Sequence, residues 1–273
     1  MPRLFVNLLR SPKTTMRKPF VAGNWKMNLT KAQAAALASA LAAKAPQFGG
    51  AGGAVDVALI PAFVHLDAVS AALKGSPLAL GAQDAYFENN GAFTGEISTA
   101  MLLDLGVKYV LVGHSERRHV LGETDALCNQ KLLAIINAGL TAILFIGEKL
   151  EERKAGQTFS VCQSQLAAGL KNLDKSQTPQ LVIAYEPVCA IGTGLNATKE
   201  QAQEVHAFVR AQLAKIFDPP AAAAIRIQYG GSVKAANAPE LMSRPDVDGA
   251  LFGGAALKAD EFAGIVLAAA AKR

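Results

Sequence analysis

The chain has few cysteines, a single tryptophan, no long apolar run and, over its first 55 residues, no acid at all. The three cysteines, Cys128, Cys162 and Cys189, form no close pair and stand near no histidine at ligand spacing. That argues against a disulfide framework or a structural metal site, and for a reducing compartment, the cytoplasm. Hydrophobic residues make up 51% of the chain, enough for a sizeable core, yet none of the apolar runs reaches the roughly 18 residues a membrane span requires. The missing acids explain the basic charge. Arg3, Arg10, Lys13, Arg17 and Lys18 all precede the first strand, and beyond residue 18 the chain balances 22 basic against 22 acidic side chains. The net charge of +5 therefore belongs to an extension and does not indicate a nucleic-acid surface.

That extension, "MPRLFVNLLRSPKTTMRK", has the basic, acid-free, mildly amphipathic composition of an organelle transit peptide. It reads better as a disordered tail, or as the product of an upstream start codon with Met16 the natural one. It lacks the long apolar centre and small-residue cleavage site of a secretory signal. Residues 1–18 are accordingly taken as an extension and 19–273 as one domain.

What the sequence does have is alternation. Short β-rich runs at 20–23, 55–60, 78–82, 107–112, 141–146, 181–185, 225–229 and 249–252 are separated by helix-compatible segments. One is "TKAQAAALASALAAK" from Thr30; another is "TKEQAQEVHAFVRAQLAKIF" from Thr198, a good N-cap, with Ala202, Val205, Val209 and Leu213 at helical spacing. "GETDALCNQKLLAIINAG" stops on Gly139, as a helix C-terminus should. The strands are continuous apolar runs, which fits a parallel sheet covered by helices. Eight strand–helix units of roughly 30 residues match a (β/α)₈ barrel. A doubly wound open sheet gives the same alternation, so periodicity leaves both open.

In such barrels function collects where strands run into loops. Those positions supply Asn24 and Lys26 after the first strand, His114, Ser115 and Glu116 after the fourth, and Glu186 after the sixth. "YGGSV" follows the seventh and "FGG" the eighth, bringing Ser232, Gly253 and Gly254. Glycine-rich turns there commonly hold a phosphate by backbone N–H groups. Glu186 with His114 then suggests proton transfer rather than hydrolysis, because no nucleophile–base–acid series or metal cluster accompanies them. Taken singly, each has a plainer reading: Glu186 as a strand-end acid paired with arginine, His114 as a helix cap, Lys26 as a solvated lysine, the glycines as turns. Trp25 and Tyr109 read as packing, and His65, His119 and His206 as surface or helix residues. Their concurrence at equivalent strand ends is what carries the functional reading.

The motifs "AGNWKMN", "GAQDAYFENNGAFTGE", "VGHSERR", "AYEPVCAIGTG", "QYGGSV" and "ALFGGAAL" occur in that order. With them the chain, from Lys18 to its C-terminus, resembles the triosephosphate isomerase family. The resemblance implies a single-domain (β/α)₈ TIM barrel that interconverts dihydroxyacetone phosphate and glyceraldehyde 3-phosphate, with no metal or organic cofactor. It implies Glu186 as the base, His114 as the electrophile that polarises the carbonyl and shuttles protons, Lys26 as the cation, and Asn24 as a substrate contact. Glu116 is implied as the lysine's partner and Ser115 as a seat for the base, with Gly192, Ser232, Gly253 and Gly254 contacting phosphate. A neutral imidazole at the histidine is a known feature of this family and not something read from these residues.

Residues 187–194 match the family's moving lid, and residues 83–96 match a long loop that inserts into a second subunit. The resemblance thus implies a homodimer in which Thr94 reaches the partner's site. Two positions depart from the family. Cys189 stands where a tryptophan is usual, which bears on lid closure, and Phe145 replaces a common cysteine, so local repacking is expected. The rival readings are another phosphate-binding barrel enzyme and a non-catalytic barrel retained for binding. A Schiff-base aldolase through Lys26 is disfavoured because Asn24 offers no acid–base help.

Overall fold

The computed structural model describes residues 17–48, 53–187 and 197–272. Its strands are β1 (Phe20–Asn24), β2 (Asp56–Ile60), β3 (Ala79–Ala82), β4 (Val107–Val112), β5 (Thr141–Ile146), β6 (Leu181–Tyr185), β7 (Arg226–Tyr229) and β8 (Gly249–Phe252). Each pairs in parallel with the next, and β1 pairs with both β2 and β8. The sheet is therefore a closed barrel, and the open-sheet alternative is excluded. Strand positions lie within one residue of those expected from the sequence.

Closure needs one specific residue. At Gly249 φ is +147°, and a Cβ there would sit 1.8 Å from the carbonyl oxygen of Phe20. Only glycine lets β8 come that close to β1.

Both faces of each strand are buried, which is why alternation is absent from the sequence. Phe20, Ala22, Ile60, Leu111, Ile143 and Phe145 point inward with their neighbours and fill the barrel. The intervening residues, such as Val21, Leu59, Val110 and Leu144, face an outer shell of helices. Full burial of side chains of this size contributes about 1.5–3 kcal/mol each.

The outer helices are α1 (Lys31–Lys44), α2 (Leu66–Ala72), α3 (Thr99–Asp104), α4 (Ser115–His119), α5 (Asp125–Asn137), α6 (Leu150–Lys154), α7 (Thr158–Gly169), α8 (Lys199–Ile216), α9 (Pro219–Ala224), α10 (Ala238–Met242) and α11 (Ala259–Ala270). Thr30 and Thr198 each form a reciprocal capping box at the start of α1 and α8. The helix α8 buries Ala202, Val205, Val209 and Leu213, the stripe read from the sequence. Gly139, two residues past the end of α5, adopts φ +86°.

At the end of the barrel opposite the strand C-termini, Asp248 accepts from Arg17 Nε at 2.7 Å, Arg210 at 2.6 Å and the Ile227 amide at 2.9 Å. His119 is exposed at the end of α4, whereas His65 and His206 are buried. His206 sits on α8 with its Nδ1 3.1 Å from the Asp246 carbonyl, and His65 places Nε2 3.0 Å from the Leu29 carbonyl. Backbone acceptors reach these imidazoles from segments distant in sequence, so the sequence gives no sign of their burial. No described helix is long and apolar enough to cross a membrane.

Candidate active site

The C-terminal ends of the strands surround a cavity of about 250 Å³ lined by Asn24, Lys26, His114, Glu186, Ser232 and the glycines of the last two turns. These side chains come from β1, β4, β6, β7 and β8, so only barrel closure assembles them.

Glu186 follows β6 directly and is 3% exposed. Its amide donates to the Ile146 carbonyl at 2.8 Å, which keeps the backbone in strand geometry one residue past β6. Its carboxylate meets two groups from the β4–α4 junction. The Ser115 amide donates to Oε2 at 3.1 Å, and His114 Nε2 lies 3.3 Å from Oε1. Ser115 thus touches the expected base through its backbone and not its hydroxyl.

His114 is the N-cap of α4, and its Nδ1 accepts from the Glu116 amide at 3.2 Å. That acceptor role places the proton on Nε2 in the neutral ring. Burial lowers the imidazole's proton affinity below its ordinary value; the Glu186 carboxylate opposes this and Lys26 adds to it. The contact with Glu186 is therefore one between a carboxylate and a neutral N–H donor, not an ion pair.

Lys26 has φ +53°, in the left-handed region, a conformation costing of order 1–3 kcal/mol for a side-chain-bearing residue. Three contacts hold it there. The Lys26 amide donates to Asn24 Oδ1 at 2.9 Å, Gln83 Nε2 donates to the Lys26 carbonyl at 2.9 Å, and Lys26 Nζ reaches Glu116 Oε1 at 2.6 Å. The half-exposed ion pair itself contributes little stability; its effect is to place the ammonium at the mouth. Gly253 lies against the same lysine, where a Cβ would meet Lys26 Cε at 3.0 Å. At Gly254 a Cβ would have open space, so that residue leaves its backbone uncovered rather than relieving a clash.

The sequence reading missed two residues. Gln83, just after β3, donates to both Lys26 and Ile60 carbonyls, tying the first loop and the end of β2 to the third loop. Arg118 donates to the Gly113 carbonyl at 2.7 Å and to the Phe145 carbonyl at 3.3 Å, tying the approach to His114 onto β5. Both lay within quoted motifs, but amide and guanidinium groups that serve backbone carbonyls leave no charge pattern to find. Thr94 is exposed on the loop after β3 and does not line this chain's cavity. That loop is organised by its own aromatics, with Tyr86 against Phe87 and Phe93. Gly192 and Cys189 lie outside the described residues. Among the described residues no group of histidine, cysteine and carboxylate side chains is arranged to hold a metal.

A buried carboxylate, a neutral N–H donor, a cation and glycine turns around one cavity are suited to moving protons on a small anionic carbonyl compound. The family model for triosephosphate isomerase matches residues 19–269. The chain is 51% identical to the triosephosphate isomerase of Syntrophotalea carbinolica over 92% of this chain and 98% of the relative. It is 53% identical to that of Carboxydothermus hydrogenoformans, over 92% and 98%. To that of Pseudomonas syringae pv. tomato it is 52% identical, over 93% and 99%. The chain belongs to the triosephosphate isomerase family.

Proposed function

We propose that this protein interconverts dihydroxyacetone phosphate and D-glyceraldehyde 3-phosphate through an enediolate, as an intramolecular aldose–ketose isomerase. The observation that carries the reading is the pair of His114 Nε2 and Glu186 Oε1, 3.3 Å apart in a cavity bordered by glycine turns. The Glu186 carboxylate removes a proton from the carbon beside the substrate carbonyl and returns it to the neighbouring carbon. His114 donates its Nε2 proton to the carbonyl oxygen as charge builds there and recovers a proton from the adjacent hydroxyl. A neutral donor matches the proton affinity of an enediolate better than an imidazolium, a point for which this family is itself the standard example. Lys26 and Asn24 bind the oxygens, and the cation offsets the negative charge of the substrate. Backbone N–H groups at Ser232, Gly253 and Gly254 take the phosphate, and Gly192 is a further phosphate contact by its match to the family's motif. Glu116 holds Lys26, and the Ser115 amide seats the base between turnovers.

No step here calls on a metal or an organic cofactor. The working form is a homodimer in which Thr94 of each subunit reaches the other's site; the exposed loop carrying Phe93 supports this. Glycolytic and gluconeogenic flux in the cytoplasm is the setting that fits. A coupled isomerisation assay on the purified chain and on Glu186→Gln tests the reading. The variant is expected to lose turnover by about 10³-fold or more with binding largely retained; equal rates would remove Glu186 as the base.

A further inference from the structure

Phe145 projects from β5 into the barrel interior at its upper layer and is 1% exposed. Its ring meets the imidazole of His114 edge to face, with centroids 4.8 Å apart and planes at 68°. The residue beside it in register on β6 is Ala184, small enough to leave the ring its place. The Phe145 carbonyl and the Gly113 carbonyl share one guanidinium, that of Arg118, so β5 and the approach to His114 are held in fixed relation. A void of about 10 Å³ beside Phe145 is bounded by Ser115 and Glu186. The ring therefore borders the surroundings of both groups.

We propose that Phe145 is a positioning residue. Its ring holds the His114 imidazole with Nδ1 on the Glu116 amide and Nε2 toward Glu186, and it keeps water from the inner face of that imidazole. The proposal rests on the reading of His114 and Glu186 as the reacting pair. An imidazole released from the ring can turn about its side-chain bonds, and each turn costs one of its two assigned partners. The charged groups facing His114 are Glu186 after β6, Lys26 after β1, and Glu116 and Arg117 on α4. The phenyl ring adds no charge to that set. Its removal therefore changes solvation and orientation while leaving the charges in place, and burial is the largest influence on this imidazole.

The test follows the His114 ring nitrogens by NMR through a pH titration of histidine-labelled parent, F145L and F145A, alongside kcat and KM. In F145A the His114 midpoint is expected to move up toward the ordinary imidazole value, with kcat down about tenfold or more and KM changed less than about twofold. F145L restores apolar bulk without the ring and should recover most of the midpoint but only part of kcat. A folded F145A whose His114 titration and kcat match the parent overturns the proposal. Should F145A fail to fold, F145L decides alone, and parental kcat and His114 chemical shifts in it would overturn the assignment. Loss of the proposed reaction is seen separately. If E186Q keeps full activity the reaction assignment fails, while the His114 titration still reports whether the ring sets the imidazole.

Discussion

Gly147, at the end of β5, passes so close to Glu186 that a Cβ on it would lie 1.9 Å from the Glu186 carbonyl oxygen. The clash would be with backbone, which no rotamer change relieves. Gly147→Ala must therefore displace Glu186, the proposed base. A shift of about 1 Å in a reacting group costs on the order of 10²-fold in rate. The expected outcome is kcat lower by that order with KM within a few-fold, measured on protein whose circular dichroism matches the parent.

Gln83 donates to the Lys26 carbonyl in the first loop and to the Ile60 carbonyl at the end of β2, and its removal uncovers both. Gln83→Ala should cost about 1–3 kcal/mol of stability and reduce kcat/KM by about tenfold, because Lys26 loses one of the contacts that keep it in the left-handed region. Urea unfolding together with steady-state kinetics checks both halves. A stability loss without any change in kcat/KM would confine Gln83 to a structural role.

Lys131 on α5 is 2% exposed and lies between Asp84 and Glu123. Arg117 bridges the same two carboxylates, at 2.8 Å and 2.7 Å. Two cations thus face two buried carboxylates, Lys131 from within and Arg117 from the partly exposed side. Lys131→Met leaves the acids short of one partner, and breaking a buried pair in this way costs about 3–5 kcal/mol. A fall in the urea midpoint of that size is expected. Asp84→Asn with Lys131→Met should recover part of it, because the double change removes one charge of each sign.

Acid should weaken the fold through His206. Burial pushes this imidazole down to about 4 in the folded chain, with the Asp246 carbonyl and Asp248 opposing and Arg210 adding to the effect. In the unfolded chain it titrates near its ordinary 6.5. Between those values the unfolded state binds more protons, so stability falls as pH drops from about 6.5 to about 4 and levels off below. The full loss is about 3 kcal/mol. Urea midpoints at about pH 7 and about pH 4.5 should draw together in His206→Gln relative to the parent; an unchanged difference would exclude His206 as the source.

Sedimentation tests the assembly. The chain is expected to run as a dimer, and Thr94→Arg in the exposed loop after β3 should weaken association and lower kcat together. A monomeric parent with full activity would remove the proposed contribution of Thr94.

Much of this was legible in the residues, for identifiable reasons. Strands buried on both faces read as apolar runs, and Thr198 as an N-cap with its apolar stripe marked α8, so element positions followed from local chemistry. Closure did not, because it depends on Gly249 meeting Phe20 across more than 200 residues of chain. Lys26, His114 and Glu186 were visible at strand ends. Gln83, Arg118 and the Lys131 cluster were not, since Gln83 and Arg118 serve backbone carbonyls and the Lys131 cluster turns on Asp84, 47 residues away. Burial of His206 was hidden for the same reason.

The barrel interior, plugged by Phe20, Leu111, Ile143 and Phe145, has a consequence for traffic. Among the described residues this packing leaves no route along the barrel axis, so whatever occupies the cavity arrives and departs through the doorway at the strand C-termini. Entry and exit are then mutually exclusive events. A departing triose must vacate that doorway before the next one can come in, whichever direction the reaction has run.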